Sequence, residues 1–185
     1  MASVVTMPMS RPLTLEDFEA IRGAADDGHR YELIDGSLIV TPSPTWSHQV
    51  VSSNLLVHLA LANPAPDRFV VLHAPYDVRL ANDSVVQPDL LVFDTTEPDQ
   101  SLPLLAVEIL SPSTRHIDVG LKWSRYASAG IPHFWVVDPD GPGLKVWELR
   151  DGAYVKATSA EGDETAHVAL PWPVTIVPSA LTSNA

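Results

Sequence analysis

Three ionisable side chains sit on or just beyond two apolar runs, and their types suit metal-assisted phosphodiester chemistry. Asp89 follows Pro88 inside the apolar run 85–93, Glu108 interrupts the run 104–110, and Lys122 falls on the helix-like segment that follows. A carboxylate among apolar neighbours costs several kcal/mol unless it is paired or bound to a metal, so Glu108 needs a reason for its position. Phosphodiester hydrolysis needs a water activated near neutral pH and charge stabilisation on the phosphoryl oxygens, and a divalent ion supplies both. Mg²⁺ prefers oxygen ligands and keeps several waters, so Asp89, Glu108 and the backbone carbonyl of Ile109 form a sufficient protein set for Mg²⁺ or Mn²⁺. A lysine ammonium can orient the attacking water or stabilise developing charge, which makes Lys122 the candidate. Glu32 could bind a metal water or a second ion, and His48 could contact phosphate or relay a proton.

Each residue also has a structural reading. Glu108 could pair with Arg115 or Lys122, Glu32 could pair across a hairpin with a basic residue, and His48 could be a capping or surface histidine. Lys122 could lie on a solvated helix face. Ser111 and Ser113 lack the surrounding Gly-x-Ser-x-Gly of a nucleophile elbow, so they read as loop and helix-entry residues. Trp123, Tyr126 and Trp135 read as core or half-buried aromatics. A zinc hydrolase is disfavoured because no His-Glu-x-x-His spacing occurs.

The elements that must position these residues can be read along the chain. Thr14 is a plausible N-cap with Asp17 three residues on, opening an amphipathic helix over 13–22. Residues 30–40 carry two apolar-rich runs around Asp35-Gly36, a hairpin signal. A second helix is expected from Ser47 to about Leu61 with His48 in its first turn. Residues 68–80 read as two strands or one strand bent at Pro75, and an Asn82-Asp83 turn leads to the 85–93 run, read as one buried strand in which Pro88 interrupts ladder pairing at Asp89. After a loop with Pro98 and Pro103 comes the Glu108 strand. A helix over 117–129 follows, with Asp118 as N-cap and Gly130 as the stop, then a strand over 134–138. That order favours a right-handed crossover between parallel strands. Residues 144–149 and 154–157 form strands about Asp151-Gly152 that extend one sheet edge as a meander. The proline-rich tail from Leu170 is expected to be extended rather than helical.

The chain has 185 residues, 45% of them apolar, which suits one domain with a single core spanning about 13–158 and frayed ends. It contains no cysteine, so disulfides and thiolate metal sites are excluded. No signal-peptide pattern and no membrane-length apolar run occur, and a cytoplasmic protein without membrane contact is expected. The formal net charge of -12 opposes non-specific nucleic-acid binding. Arg115, His116, Lys122 and Arg125 cluster after the Glu108 strand, where a phosphate-facing patch is expected.

These residues together resemble the PD-(D/E)XK nuclease superfamily, the restriction-endonuclease-like fold, and within it the endonuclease family called Uma-two. The matching features are Tyr31-Glu32-Leu33-Ile34-Asp35-Gly36, Ser47-His48, Gln87-Pro88-Asp89, Glu108-Ile109-Leu110-Ser111-Pro112-Ser113, and Asp118 with Lys122 and Tyr126. Gly130-Ile131 and the run Phe134-Trp135-Val136-Val137-Asp138 complete them, so the likeness covers residues 13 to about 149. The resemblance implies an α/β fold with a central mixed β-sheet flanked by helices and an N-terminal β-hairpin. It implies a metal-dependent endonuclease acting on DNA phosphodiester bonds, and a homodimer that cuts both strands. In the superfamily's plain motif a lysine lies two residues after the acid; here that position is Leu110, so the lysine's role passes to Lys122 on the following helix. RNA, or branched or damaged DNA, fits the residues equally well as substrate, and a non-catalytic binding module keeping the nuclease fold is the competing function.

Overall fold

A computed structural model describes residues 11–96, 102–111, 115 and 117–183. The expectations placed on Pro98, Pro112, Ser113 and His116 lie outside the described residues.

The N-terminal part follows its local chemistry closely. Helix α1, Leu15–Ala24, is capped by Thr14 in a reciprocal capping box with Asp17, which satisfies two otherwise orphaned backbone donors. Strands β1, Arg30–Ile34, and β2, Ser37–Thr41, pair antiparallel about Asp35-Gly36. Both turn residues have positive φ, 52° and 70°, the backbone of the tight hairpin turn that Asp-Gly favours. Gly36 is also needed for space, since a Cβ there would lie 2.5 Å from the Pro12 Cβ. Helix α2, Trp46–Ala62, is capped by Thr45 and buries Val51, Leu55 and Leu59.

Strands β3, Phe69–His73, and β4, Val78–Ala81, flank Pro75 and belong to different sheets, the two-strand alternative rather than one bent strand. The 85–93 run, however, is two strands rather than one. Strand β5 is Ser84–Val86, strand β6 is Leu90–Asp94, and they belong to different sheets. Pro88 has no N–H to donate, so the chain leaves one ladder at Gln87 and joins another at Leu90. A four-stranded sheet runs β2-β1-β5-β4.

The larger sheet holds six strands in the order β10-β9-β8-β7-β6-β3. Strand β7, Leu105–Ile109, lies at its centre and is buried throughout. It runs parallel to β8, His133–Asp138, while the other neighbours pair antiparallel, giving the expected mixed sheet and crossover. Strands β9, Gly143–Arg150, and β10, Ala153–Glu161, form the expected meander at one edge. The crossover opens as a π-helical turn, Ile117–Lys122, before helix α3, Trp123–Ala129, which ends at left-handed Gly130 with φ 88°. Asp118 is therefore not the N-cap of α3; it faces inward beside Lys122.

The tail departs from its expectation. Strands β11, Ala166–Val168, and β12, Val174–Ile176, form a small ribbon, and helix α4, Pro178–Leu181, follows. Pro178 starts that helix, since the first turn needs no N–H from it. Apolar side chains fill both faces of the six-stranded sheet: Val51, Leu55, Val107 and Trp135 on one, Tyr126, Phe134 and Val136 on the other. A third cluster, around Phe18 and Leu33, lies beneath α1. Among the described residues, no helix is long and apolar enough to cross a membrane.

Candidate active site

Gln87, Pro88 and Asp89 are the link between the two sheets, and the ionisable groups gather around that link. The Gln87 N–H donates to Glu32 Oε1 of β1 at 2.7 Å. Two residues on, the Asp89 N–H donates to the Val107 carbonyl of β7 at 3.0 Å. The Asp89 carboxylate then takes the place of a ladder acceptor, because the Ile109 N–H donates to its Oδ2 at 2.7 Å. Leu90 is opposite Val107 in the β6–β7 register, and the bond to the Ile109 N–H sets the Asp89 carboxylate against the peptide that joins Glu108 to Ile109. The expectation that Pro88 frees Asp89 from regular pairing thus has a concrete form.

Asp89 has two further partners. Arg30 Nη1 donates to its Oδ1 at 2.9 Å, and His48 Nε2 lies 3.2 Å from its Oδ2. Burial alone would push the Asp89 carboxyl up. The His48 contact, the Arg30 charge and the Ile109 N–H outweigh burial and hold it below the ordinary aspartate value. Asp89 is therefore an anion at neutral pH.

Lys122 is the hub of the other half. The π-helical turn carries it inward until none of it is exposed. Its Nζ lies 2.9 Å from Glu32 Oε1, 3.2 Å from Glu108 Oε1 and 3.4 Å from Asp118 Oδ1. The Tyr126 hydroxyl donates to Glu108 Oε1 at 2.5 Å. Burial disfavours the Lys122 charge, but Glu108, Glu32 and Asp118 more than restore it, so the group stays an ammonium. Glu108 is driven well above the ordinary glutamate value, first by burial and then by the charges of Asp118, Asp89 and Glu32, against the opposing pull of Lys122.

The structure therefore brings Asp89, Glu108, Glu32, Lys122 and His48 into one network. Neither structural reading of Lys122 and His48 as surface groups holds, since both are buried. The ion pair of Glu108 with Lys122 is present, whereas Arg115 pairs with Asp138 instead. Among the described residues, the basic groups of the phosphate-facing patch expected over 115–125 are engaged elsewhere: Arg115 is held by Asp138, Arg125 by Asp35, and Lys122 is enclosed. Basic groups instead line a cleft of about 570 Å³ that reaches Asp89, with Arg30, His29, His48 and His73 on its walls. Arg30 and Tyr126 were absent from the expected set. The signals for them are spacing: Arg30 is two residues before Glu32 on one strand, and Tyr126 is four after Lys122 on one helical face.

Four buried carboxylates, Asp89, Glu108, Glu32 and Asp118, share this interior with two permanent cations, Arg30 and Lys122. The excess negative charge and the hard oxygen donors fit a divalent cation such as Mg²⁺. Among the described residues no three His, Asp or Glu side chains are grouped as a ready metal cage.

The raised Glu108 group gives stability a sign with pH. Above the ordinary glutamate value the folded chain holds more protons at Glu108 than the unfolded chain, so stability falls as pH rises through that window. Asp89 acts oppositely: its contribution is complete above the ordinary aspartate value and is lost as pH falls through its lowered folded value. Thermal melts from about pH 3 to about pH 8 should therefore show a maximum at mildly acidic pH, and Glu108→Gln should flatten the neutral side alone. Parallel profiles for the two proteins would remove Glu108 from this account.

A family model described as Uma2, putative restriction endonuclease, matches residues 15–177. No curated protein matches the chain. Among solved structures, the crystal structure of a putative nuclease belonging to DUF820 from Anabaena variabilis superposes with a TM-score of 0.66 at 20% identity, over 86% of this chain and 90% of that one. The two share a fold.

Proposed function

This chain belongs to the Uma2 family, described as putative restriction endonucleases, and from that premise we propose that it is a metal-dependent endonuclease hydrolysing DNA phosphodiester bonds. The observation that carries the reading is the bond from the Ile109 N–H to the Asp89 carboxylate, which sets that carboxylate at the peptide following Glu108 at the seam of the sheets, with a cleft opening onto Asp89. Asp89, Glu108 and the Ile109 carbonyl would hold Mg²⁺ or Mn²⁺, and Glu32 would hold a second ion or its waters. When bound, the ion supplies charge stabilisation and a water of lowered pKa.

The chain's own groups do the rest. The Ile109 N–H and Arg30 fix the Asp89 carboxylate in place, and Tyr126 fixes Glu108. Arg30 and His48 stand on the cleft wall beside Asp89, where a substrate phosphate would meet a permanent cation and a proton-relay group. Lys122 holds Glu32 and Glu108 together and can stabilise charge or orient water once a contact to a carboxylate is exchanged.

A non-catalytic nuclease-fold module is the second reading, favoured by the way Lys122 already engages Glu32, Glu108 and Asp118. Calorimetric titration with Mg²⁺ and Mn²⁺ separates the two. An active site should bind with a Kd of about a millimolar or tighter, and Glu108→Gln should abolish the heat. Absence of binding in the wild-type protein favours the module.

A further inference from the structure

We propose that the cleft takes an unpaired nucleotide of single-stranded DNA, with Trp46 as a stacking platform at its rim. This deepens the nuclease reading and rests on it. Asp89 is recessed, 3% exposed, and lies on the cleft wall, so a phosphate reaches it by entering the cleft. At about 570 Å³ the cleft has the size that encloses a small-molecule-sized group. A rigid duplex cannot lower its backbone into such a space, whereas a flexible strand or an extruded nucleotide can.

Charge points the same way. Tight duplex binding rests on neutralising many phosphates, and this chain carries a net charge of -12. Arg115 and Arg125 are engaged by acids, and Arg22 on the cleft is engaged by Asp77. Arg30, itself bonded to Asp89, is the cation next to the recessed carboxylate, which suits one phosphate rather than a row of them.

Binding without a row of phosphates needs another source of affinity, and the rim offers it. Trp46 opens α2 and is 78% exposed, although Thr45, His48 and Gln49 around it line the cleft. No aromatic ring packs on it among the described residues. An exposed ring beside a recessed anion-handling site is an arrangement that stacks a base irrespective of sequence.

The test is fluorescence anisotropy in EDTA with a labelled oligodeoxythymidylate and a labelled hairpin duplex of equal length, using the wild type, Trp46→Ala and Trp46→Phe. The single strand should bind more tightly than the hairpin, Trp46→Ala should lose roughly tenfold in single-strand affinity, and Trp46→Phe should retain most of it. Cleavage of both DNAs with Mg²⁺ is read in parallel beside Asp89→Asn. Equal or tighter binding of the hairpin, or unchanged single-strand binding in Trp46→Ala, overturns the proposal while leaving the nuclease intact. Cleavage that is absent, or that persists in Asp89→Asn, counts against the nuclease reading instead, whatever the anisotropy shows.

Discussion

Asp89→Asn protein folds normally and loses DNA cleavage by more than the roughly hundredfold that follows removal of a residue merely supporting a metal ligand. Asparagine keeps one oxygen, so it can still accept from Ile109 or Arg30 and preserve the link between the sheets. What it cannot keep is the carboxylate's charge, which faces Arg30 and His48 on the cleft. The measurement is nicking of supercoiled plasmid and cutting of single-stranded DNA at low salt with Mg²⁺, Mn²⁺ or EDTA, beside a thermal melt of each protein. Wild-type cleavage that needs the metal, with a silent but folded Asp89→Asn, is the expected pattern. Turnover retained in the variant would take Asp89 out of the chemistry.

The second large effect falls on stability. Lys122→Met conserves much of the side chain's volume but leaves Glu32, Glu108 and Asp118 facing one another without their shared cation. Breaking a buried ion pair by removing one partner costs about 3–5 kcal/mol, which for a chain of this size lowers Tm on the order of 10 °C. If those carboxylates also receive a divalent ion, millimolar Mg²⁺ should raise the Tm of Lys122→Met more than that of the wild type. An equal shift in both proteins would argue that the ion does not replace the amine's charge there. Loss of cleavage in this variant therefore has to be read beside its melt, because a protein that unfolds cannot report on a catalytic lysine.

The candidate acids were legible because each violates its surroundings: Asp89 and Glu108 are carboxylates in runs otherwise apolar, and both are enclosed in the structure. The Thr14 cap and the Asp35-Gly36 hairpin were legible because those signals act within a few residues. What pairs with what was not legible. Nothing local says that Arg115 goes to Asp138 or Arg125 to Asp35, so a cluster of basic residues in sequence looked like a phosphate patch. Nor could local pattern distinguish a strand interrupted at Pro88 from a chain changing sheets there, since both leave the same apolar run. In the tail, Pro178 read as a helix breaker when it is the first residue of one. Arg30 was passed over because an arginine near an acid on a strand has many ordinary explanations; only its contact with Asp89 distinguishes it.

The division of the site between two hydrogen-bonded sheets has a consequence for how it is born. Glu32 belongs to the smaller sheet near the start of the chain, Glu108 to the larger, and Lys122 comes after both. As the chain leaves the ribosome, the first hairpin can close by itself, but its glutamate stays without its ammonium until the crossover has emerged and the sheets have docked. Competence to cut would thus arrive late and all at once, and a partly made chain would carry the acids without the geometry.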